Sequence, residues 1–168
     1  MKKTSIIIII AIAISSCNFK EVNQSFFTDV IGLNIKVKER VFHNWEKKAG
    51  GREMNINIYN YQLLNKDKPI YKKRFPNKKA SDPGNWNIVK WKKTSFFESE
   101  IRLRMATEYI YEESKTKVEA EKMISTLSNK DNMYAYYYIE TNGKITDLQM
   151  FVIDTSNSKL FVYELFNQ

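Results

Sequence analysis

Hydrophobic and polar residues alternate in two neighbouring stretches near the start of the chain, which predicts a pair of antiparallel strands. The apolar side of the first stretch holds Leu33, Ile35, Val37, Val41, His43 and Trp45. In the second stretch Met54, Ile56 and Ile58 alternate with polar or aromatic residues. A period of two is typical of a half-buried strand, and Gly50 and Gly51 between the stretches favour a turn. We therefore expect an N-terminal β-hairpin.

The last third of the chain predicts a three-stranded antiparallel meander. Its three runs cover residues 133–140, 145–153 and 159–166. Asn142 and Gly143 between the first two runs predict a type I′ turn, and Thr155–Ser158 predict a second turn. The central run is apolar on both sides of its alternation, so we expect both faces of the sheet to be covered. The helices would cover one face, and the hairpin or the long loop before the helices would cover the other.

Two helices are expected between the hairpin and the meander. Ser95 and Glu98 fit a capping box, which predicts a helix from Phe96. Residues 96–111 also alternate as a strand would, and that alternative stays open. A second helix is predicted by the helical spacing of Ala120, Met123, Ile124 and Leu127. The expected fold class is α+β: the N-terminal β-hairpin, the two helices and the C-terminal three-stranded antiparallel meander form one sheet-plus-helix domain.

The first seventeen residues have the parts of a secretory signal peptide. Lys2 and Lys3 are followed by an apolar run, Ile6–Ile14, and then by small residues before Cys17. The apolar run has nine residues, whereas a membrane-spanning helix needs about 20. A short apolar run of this kind is typical of a cleaved leader.

The segment Ile14-Ser15-Ser16-Cys17 resembles the lipobox of bacterial lipoproteins. The resemblance implies cleavage before Cys17 and acylation of its sulfur, with Asn18, in place of Asp, favouring the outer membrane. Residues 1–16 would be the cleaved signal peptide, 17–25 a lipidated tether and 26–168 a single α+β domain. The layout of the mature chain, with Trp91-Lys92-Lys93-Thr94 before the helices and a tyrosine-rich end, is also similar to that of small envelope lipoproteins.

The chain has one cysteine and one histidine, which excludes several kinds of site. If Cys17 is acylated, the chain has no free thiol for a disulfide or for nucleophilic catalysis. A serine-histidine-aspartate triad would have to use His43, the single histidine of the chain. We interpret His43, on an apolar strand face, as a packed and hydrogen-bonded core residue. We therefore expect no cofactor, no metal site and no enzymatic activity. A hydrolase that uses paired glutamates near the helices is kept as an alternative.

The positive charge of the chain is concentrated in one segment. The formal net charge is +8, and residues 66–93 contain ten basic and two acidic residues. The candidate residues for binding an anionic surface are Lys72, Lys73, Arg74, Lys78, Lys79, Lys90, Lys92 and Lys93. On a lipid-anchored protein they could contact anionic lipid or lipopolysaccharide, although a solvated loop has the same composition. Nucleic acid is not an expected partner for a protein in the envelope.

These observations favour a membrane-anchored binding or assembly module of the cell envelope, with a protein partner there. The alternative is an immunity or inhibitor lipoprotein that blocks a periplasmic toxin or hydrolase. Its binding surface would be the acidic meander, which carries Asp131, Glu140, Asp147, Asp154 and Glu164. Tyr134, Tyr136 and Tyr138 share one side of their strand, and we expect them to pack under a helix or the hairpin.

Overall fold

The strands in the described part of the chain form one antiparallel sheet. The computed structural model describes residues 24–47, 51–66, 69–71, 86–100 and 117–167. The strands are β1 (Ile35–Lys47), β2 (Arg52–Leu63), β3 (Asn87–Lys93), β4 (Met133–Thr141), β5 (Lys144–Asp154) and β6 (Lys159–Asn167). Their order in the sheet is β1-β2-β6-β5-β4-β3. The described helices are a π-helical turn (Phe26–Val30), a 3₁₀ helix (Thr94–Ser99) and one α-helix, α1 (Lys117–Ser128).

Local sequence signals located several of these elements. β1 and β2 form the expected hairpin, and β4, β5 and β6 pair in succession. The expected turn between β4 and β5 has positive φ angles at both Asn142 (53°) and Gly143 (76°), as a type I′ turn requires. α1 buries Ala120, Met123 and Leu127, which are three of the four residues whose spacing predicted it.

The expected fold class is nevertheless wrong. The hairpin and the meander belong to one six-stranded sheet, because β2 pairs with β6 from Arg52↔Asn167 to Asn60↔Lys159. β3 adds a further strand at the opposite edge, against β4. These pairings join residues that are distant in the chain, so periodicity within any one segment does not reveal them.

The expected pair of helices is also wrong in the part of the chain that the structure describes. α1 is the one α-helix there, and the segment around the capping box forms a six-residue 3₁₀ helix without a side-chain cap. The 3₁₀ helix ends at Ser99. The sequence of residues 101–111 fits either a helix or a strand, and these residues lie outside the described part of the chain.

Both faces of the sheet are covered around the second half of β5, as its apolar pattern predicts. Met150 and Val152 pack in the cluster under α1 and the 3₁₀ helix, whereas Phe151 and Ile153 pack in a second cluster on the opposite face. That second face is covered by the segment around Phe27, not by the hairpin, which lies within the sheet. Side chains from the long loop also pack there: Ile70, Tyr71 and Trp86.

The buried face of β1 is shorter than the sequence predicts. Ile35 and Val37 are buried, but Val41, His43 and Trp45 are exposed. β1 is an edge strand with register shifts between Val37 and Glu39 and between Arg40 and Phe42. The cluster that includes Phe27 covers only the first half of β1. The interpretation of His43 as a core residue is therefore wrong, although its Nδ1 lies 2.9 Å from Oδ1 of Asn57.

Candidate functional site

Three of the basic residues predicted to bind an anionic surface lie in the described part of the chain, all on edge strand β3. Lys90 and Lys93 are exposed, whereas Lys92 is half-buried and pairs with Glu100. Cys17 and the remaining predicted residues lie outside the described residues: Lys72, Lys73, Arg74, Lys78 and Lys79.

The first described residue, Gln24, is fastened to the free edge of the sheet. Its Nε2 donates to the carbonyl oxygen of Ile35 at 2.8 Å, and its Oε1 accepts from the backbone N–H of Val37 at 2.9 Å. A neighbouring strand would make the same two bonds with its backbone. One amide side chain therefore replaces a strand at this point, and it fixes the N-terminal end of the domain on β1.

Leu33 and Asn34, just before β1, contact residues 69–71 near the start of the basic segment. Leu33 and Tyr71 form an antiparallel bridge. The backbone N–H of Asn34 donates to the carbonyl oxygen of Ile70 at 2.7 Å, and the Asn34 side chain donates to that of Pro69 at 2.8 Å. Residues 69–71 are thus bonded to the chain only about ten residues after Gln24. The chain enters its most basic stretch from the same end of the domain at which Gln24 is fastened.

A row of largely buried tyrosines lies beside Glu100. Tyr134, Tyr136 and Tyr138 lie along the face of β4 that packs in the cluster with α1, with adjacent ring centroids 6.2 and 5.7 Å apart. This burial confirms the expectation that the tyrosine row packs inside the protein. The hydroxyl of Tyr136 donates to Oε2 of Glu100 at 2.7 Å, and Nζ of Lys92 donates to Oε1.

The Glu100 carboxylate is stabilised in its charged form. Burial by itself would raise the pKa of Glu100, but the hydrogen bonds from Lys92 and Tyr136 and the charge of Lys92 hold that pKa below its ordinary value. Burial also raises the pKa of Tyr134 and Tyr136, and the nearby Glu100 charge raises both further. The tyrosines therefore stay neutral, and the cluster is a structural ion pair between Lys92 and Glu100 with one hydroxyl donor, that of Tyr136.

Replacing Glu100 with glutamine should lower the free energy of unfolding by about 1–2 kcal/mol at pH 7. Since the pKa of Glu100 is lower in the folded than in the unfolded protein, its contribution is present above the ordinary value of 4.5 and is lost as the pH falls through the folded value. Urea unfolding between pH 7 and pH 2 should show the difference between variant and wild type shrinking. Glu121→Gln, an exposed position on α1, is the control. A pH-independent difference would contradict this account.

A groove of about 760 Å³ opens between α1 and the part of the sheet formed by β1, β2 and β6. It forms because α1 lies over β5 and the 3₁₀ helix. Its apolar lining consists of Val41, Phe42, Ile58, Phe161 and Val118. Its polar lining consists of Glu119, Glu121, Lys122, Ser125, Thr126, Asp154, Asn157 and Lys159. The groove is therefore amphipathic.

No protein-family model, no curated protein and no solved structure matches this chain. Among the residues that the structure describes, no helix has the length and the apolar character needed to cross a membrane. The same residues contain no group of three or more histidine, cysteine, aspartate or glutamate side chains placed to hold a metal ion.

Two of the three carboxylates that line the groove are engaged in local structure. Glu119 pairs with Lys122 at 2.6 Å on the surface of α1. Asp154 accepts from the backbone N–H groups of Ser156 and Asn157 at 3.1 and 3.0 Å, and from the Asn157 side chain at 2.8 Å. Asp154 therefore shapes the turn between β5 and β6.

Sequence reasoning missed Gln24 and the groove. A single glutamine in an aperiodic stretch carries no signal of its contact with β1, because that contact depends on the open edge of the sheet. The groove depends on how far α1 extends over a sheet whose width was underestimated. The exposed Val118 on α1 was the one available hint, since an apolar residue outside the buried stripe of a helix can line a binding surface.

Proposed function

We propose that this protein is a non-enzymatic, lipid-anchored binding module of the bacterial cell envelope, attached through acyl chains on Cys17. The observation that carries the anchor is the lipobox-like segment Ile14-Ser15-Ser16-Cys17. The bonding of Gln24 to β1, only seven residues after Cys17, limits how far the domain could lie from that anchor. Seven residues span at most about 25 Å when fully extended. The tether would therefore hold the domain against the membrane surface, with the N-terminal end of β1 facing the lipid.

The lipobox-like segment that ends at Cys17 supports the anchor itself. Each buried CH₂ group of an acyl chain contributes about 0.8 kcal/mol, and a single chain holds a protein only marginally. Lipoproteins of this kind carry two or three chains, which makes the attachment durable. Asn18 supports an outer-membrane location in this proposal.

The basic segment supports a further contact with anionic headgroups or lipopolysaccharide. Its start is bonded to Leu33 and Asn34, at the end of the domain that the tether holds near the lipid. Lys72, Lys73 and Arg74 follow Tyr71 directly in the sequence. Each basic residue near an anionic membrane surface contributes about 1 kcal/mol of attraction, and salt screens it.

Replacing Lys72, Lys73, Arg74, Lys78 and Lys79 with glutamine should weaken binding to anionic liposomes by about tenfold or more at low salt. The measurement is sedimentation of the Cys17→Ser chain with vesicles of anionic and of zwitterionic lipid. The control replaces five exposed lysines away from that end of the domain with glutamine: Lys47, Lys117, Lys122, Lys130 and Lys144. The two variants have the same net charge, so equal binding by both would rule out a specific basic surface.

The contacts of the groove carboxylates favour binding over hydrolysis. Acid–base cleavage needs two carboxylates that face the same bond of the substrate. Asp154 is committed to its turn and Glu119 to Lys122. Hydrolytic activity on envelope glycans that disappears in Glu121→Gln would overturn the non-enzymatic proposal.

The groove favours one second candidate function, the inhibitor or immunity lipoprotein. Its apolar lining could receive an apolar segment of a periplasmic toxin or hydrolase, and the exposed Glu121 in that lining would favour a basic residue beside the segment. The broader acidic meander is a weaker surface for this role, because Asp154 is buried and Glu164 is hydrogen-bonded within the sheet face. A defined toxin that binds the wild type and not Val118→Asp would support this function over assembly.

A further inference from the structure

A row of polar side chains crosses the second face of the sheet, beyond the part that the N-terminal segment covers. Cross-strand pairing places Trp45 beside Asn55, Asn55 beside Glu164, and Glu164 beside Gln149. On the other side of β5, Gln149 pairs with Tyr137 of β4. Residues directly opposite each other in an antiparallel pair point to the same face. The row therefore runs across five strands, a distance of about 19 Å at the usual strand spacing.

Aromatic rings stand at both ends of this row. Trp45, on edge strand β1, is 53% exposed. At the other end, the half-buried Trp86 packs edge-on against Tyr137 with ring centroids 5.6 Å apart. An exposed indole offers a flat apolar surface with one polar N–H group. Trp45 thus presents an exposed ring surface at one end, Tyr137 is buried at the other end (3% exposed), and the middle presents hydrogen-bonding groups.

The middle of the row is an amide–carboxylate–amide triad. Nδ2 of Asn55 donates to Oε2 of Glu164 at 2.7 Å, and Nε2 of Gln149 donates to Oε1. The carboxylate thereby fixes both amides in one orientation. Oδ1 of Asn55 is buried and has no hydrogen-bond partner among the described residues. A buried acceptor of this kind is rare in proteins.

On the side toward the β1–β2 turn, the neighbouring row adds little net attraction for an anion. Lys47 pairs with Glu53 at 3.3 Å, and Asp147 accepts from the Thr146 hydroxyl at 3.0 Å. Glu164 is the charged member of the triad. An anionic ligand would therefore meet a carboxylate at the centre of the row, whereas a neutral ligand would meet acceptors and amide N–H groups.

We propose that the row from Trp45 through Asn55 and Glu164 to Gln149 binds a neutral oligosaccharide. A pyranose ring has an apolar C–H face, which fits the exposed indole of Trp45. Its hydroxyl groups donate and accept at once, which matches the amide and carboxylate groups of the half-buried Asn55, Glu164 and Gln149. The length of the row suits several linked rings better than a single sugar. This inference is independent of the lipid anchor, because it concerns a surface of the folded domain.

The test is isothermal titration calorimetry of the full-length chain in detergent micelles. The two ligands are neutral tetrasaccharides of glucose and of N-acetylglucosamine. At least one of them should bind saturably, and Trp45→Ala should weaken that binding about tenfold or more. Trp45→Phe, which keeps an aromatic face, should retain most of the affinity, and Gln149→Ala should lose part of it. The matched control is Phe96→Ala, which removes an equally exposed ring (57%) from the 3₁₀ helix.

The proposal is overturned if neither neutral tetrasaccharide binds, if Trp45→Ala binds as tightly as the wild type, or if a sulfated tetrasaccharide binds more tightly than the neutral ones. Thermal unfolding of each variant shows whether its fold is kept, and Trp45→Phe preserves the test if Trp45→Ala is unstable. Cys17→Ser should bind the sugar unchanged. Loss of membrane attachment and loss of sugar binding are therefore separate results.

Discussion

Replacing Phe151 with alanine should lower the free energy of unfolding by about 3–5 kcal/mol, the usual cost of removing a buried phenylalanine. Phe151 is fully buried on central strand β5. Its ring centroid lies 5.6 Å from that of Tyr137 and 6.2 Å from that of Phe26 in the π-helical turn. The substitution would leave a cavity where the N-terminal segment meets the sheet.

The neighbouring residue Met150 tests whether the opposite face of β5 is also covered. It is also fully buried, in the cluster with α1, and Met150→Ala should cost about 2–5 kcal/mol. Equilibrium urea unfolding measures both variants, with Phe96→Ala as an exposed control that should cost less than about 1 kcal/mol. If Phe151→Ala were as mild as Phe96→Ala, the N-terminal segment would not cover the second face.

Replacing Cys17 with serine should abolish acylation and release the protein from the membrane fraction. A serine hydroxyl does not replace the thiol that accepts the diacylglycerol in bacterial lipoproteins, and without acyl chains the apolar attachment is lost. Labelled fatty acid uptake and membrane fractionation in a Gram-negative host measure the two effects. Ser16→Ala, which keeps a small residue before Cys17, is the control and should be acylated normally. Continued uptake of label by Cys17→Ser would exclude this residue as the anchor.

The elements that sequence predicted well are those with local signals. The stripe of Ala120, Met123 and Leu127 is complete within α1, and the turn at Asn142 and Gly143 depends on two adjacent residues. The apolar character of β5 on both sides also predicted two covered faces. In each case the necessary information lies within about ten residues of chain.

The features that sequence missed depend on contacts between distant segments. The pairing of β2 with β6 brings together Asn55 and Glu164, which are 109 residues apart, and no periodicity within either strand marks that partner. The same pairing merges the hairpin and the meander and creates the polar row beside Trp45. The exposure of His43 and Trp45 likewise depends on a contact between distant segments, because the N-terminal segment covers only the first half of β1.

The part of the candidate site that has a local sequence signal was predictable, and the part that depends on distant contacts was not. Cys17 belongs to a motif of four adjacent residues, so its proposed role could be read from the chain. The pairing of Lys92 with Glu100 reduces the basic surface on β3 to Lys90 and Lys93, which net charge alone does not reveal. Gln24 was assigned to a tether, and its contact with β1 became visible only once the edge of the sheet was defined.

The most direct test of the lipid-anchored account is the intact mass of the protein purified from the membranes of a Gram-negative host. The account predicts a chain that begins at Cys17 and carries the added mass of two or three acyl chains. A chain that begins elsewhere, or one with an unmodified Cys17, would contradict it.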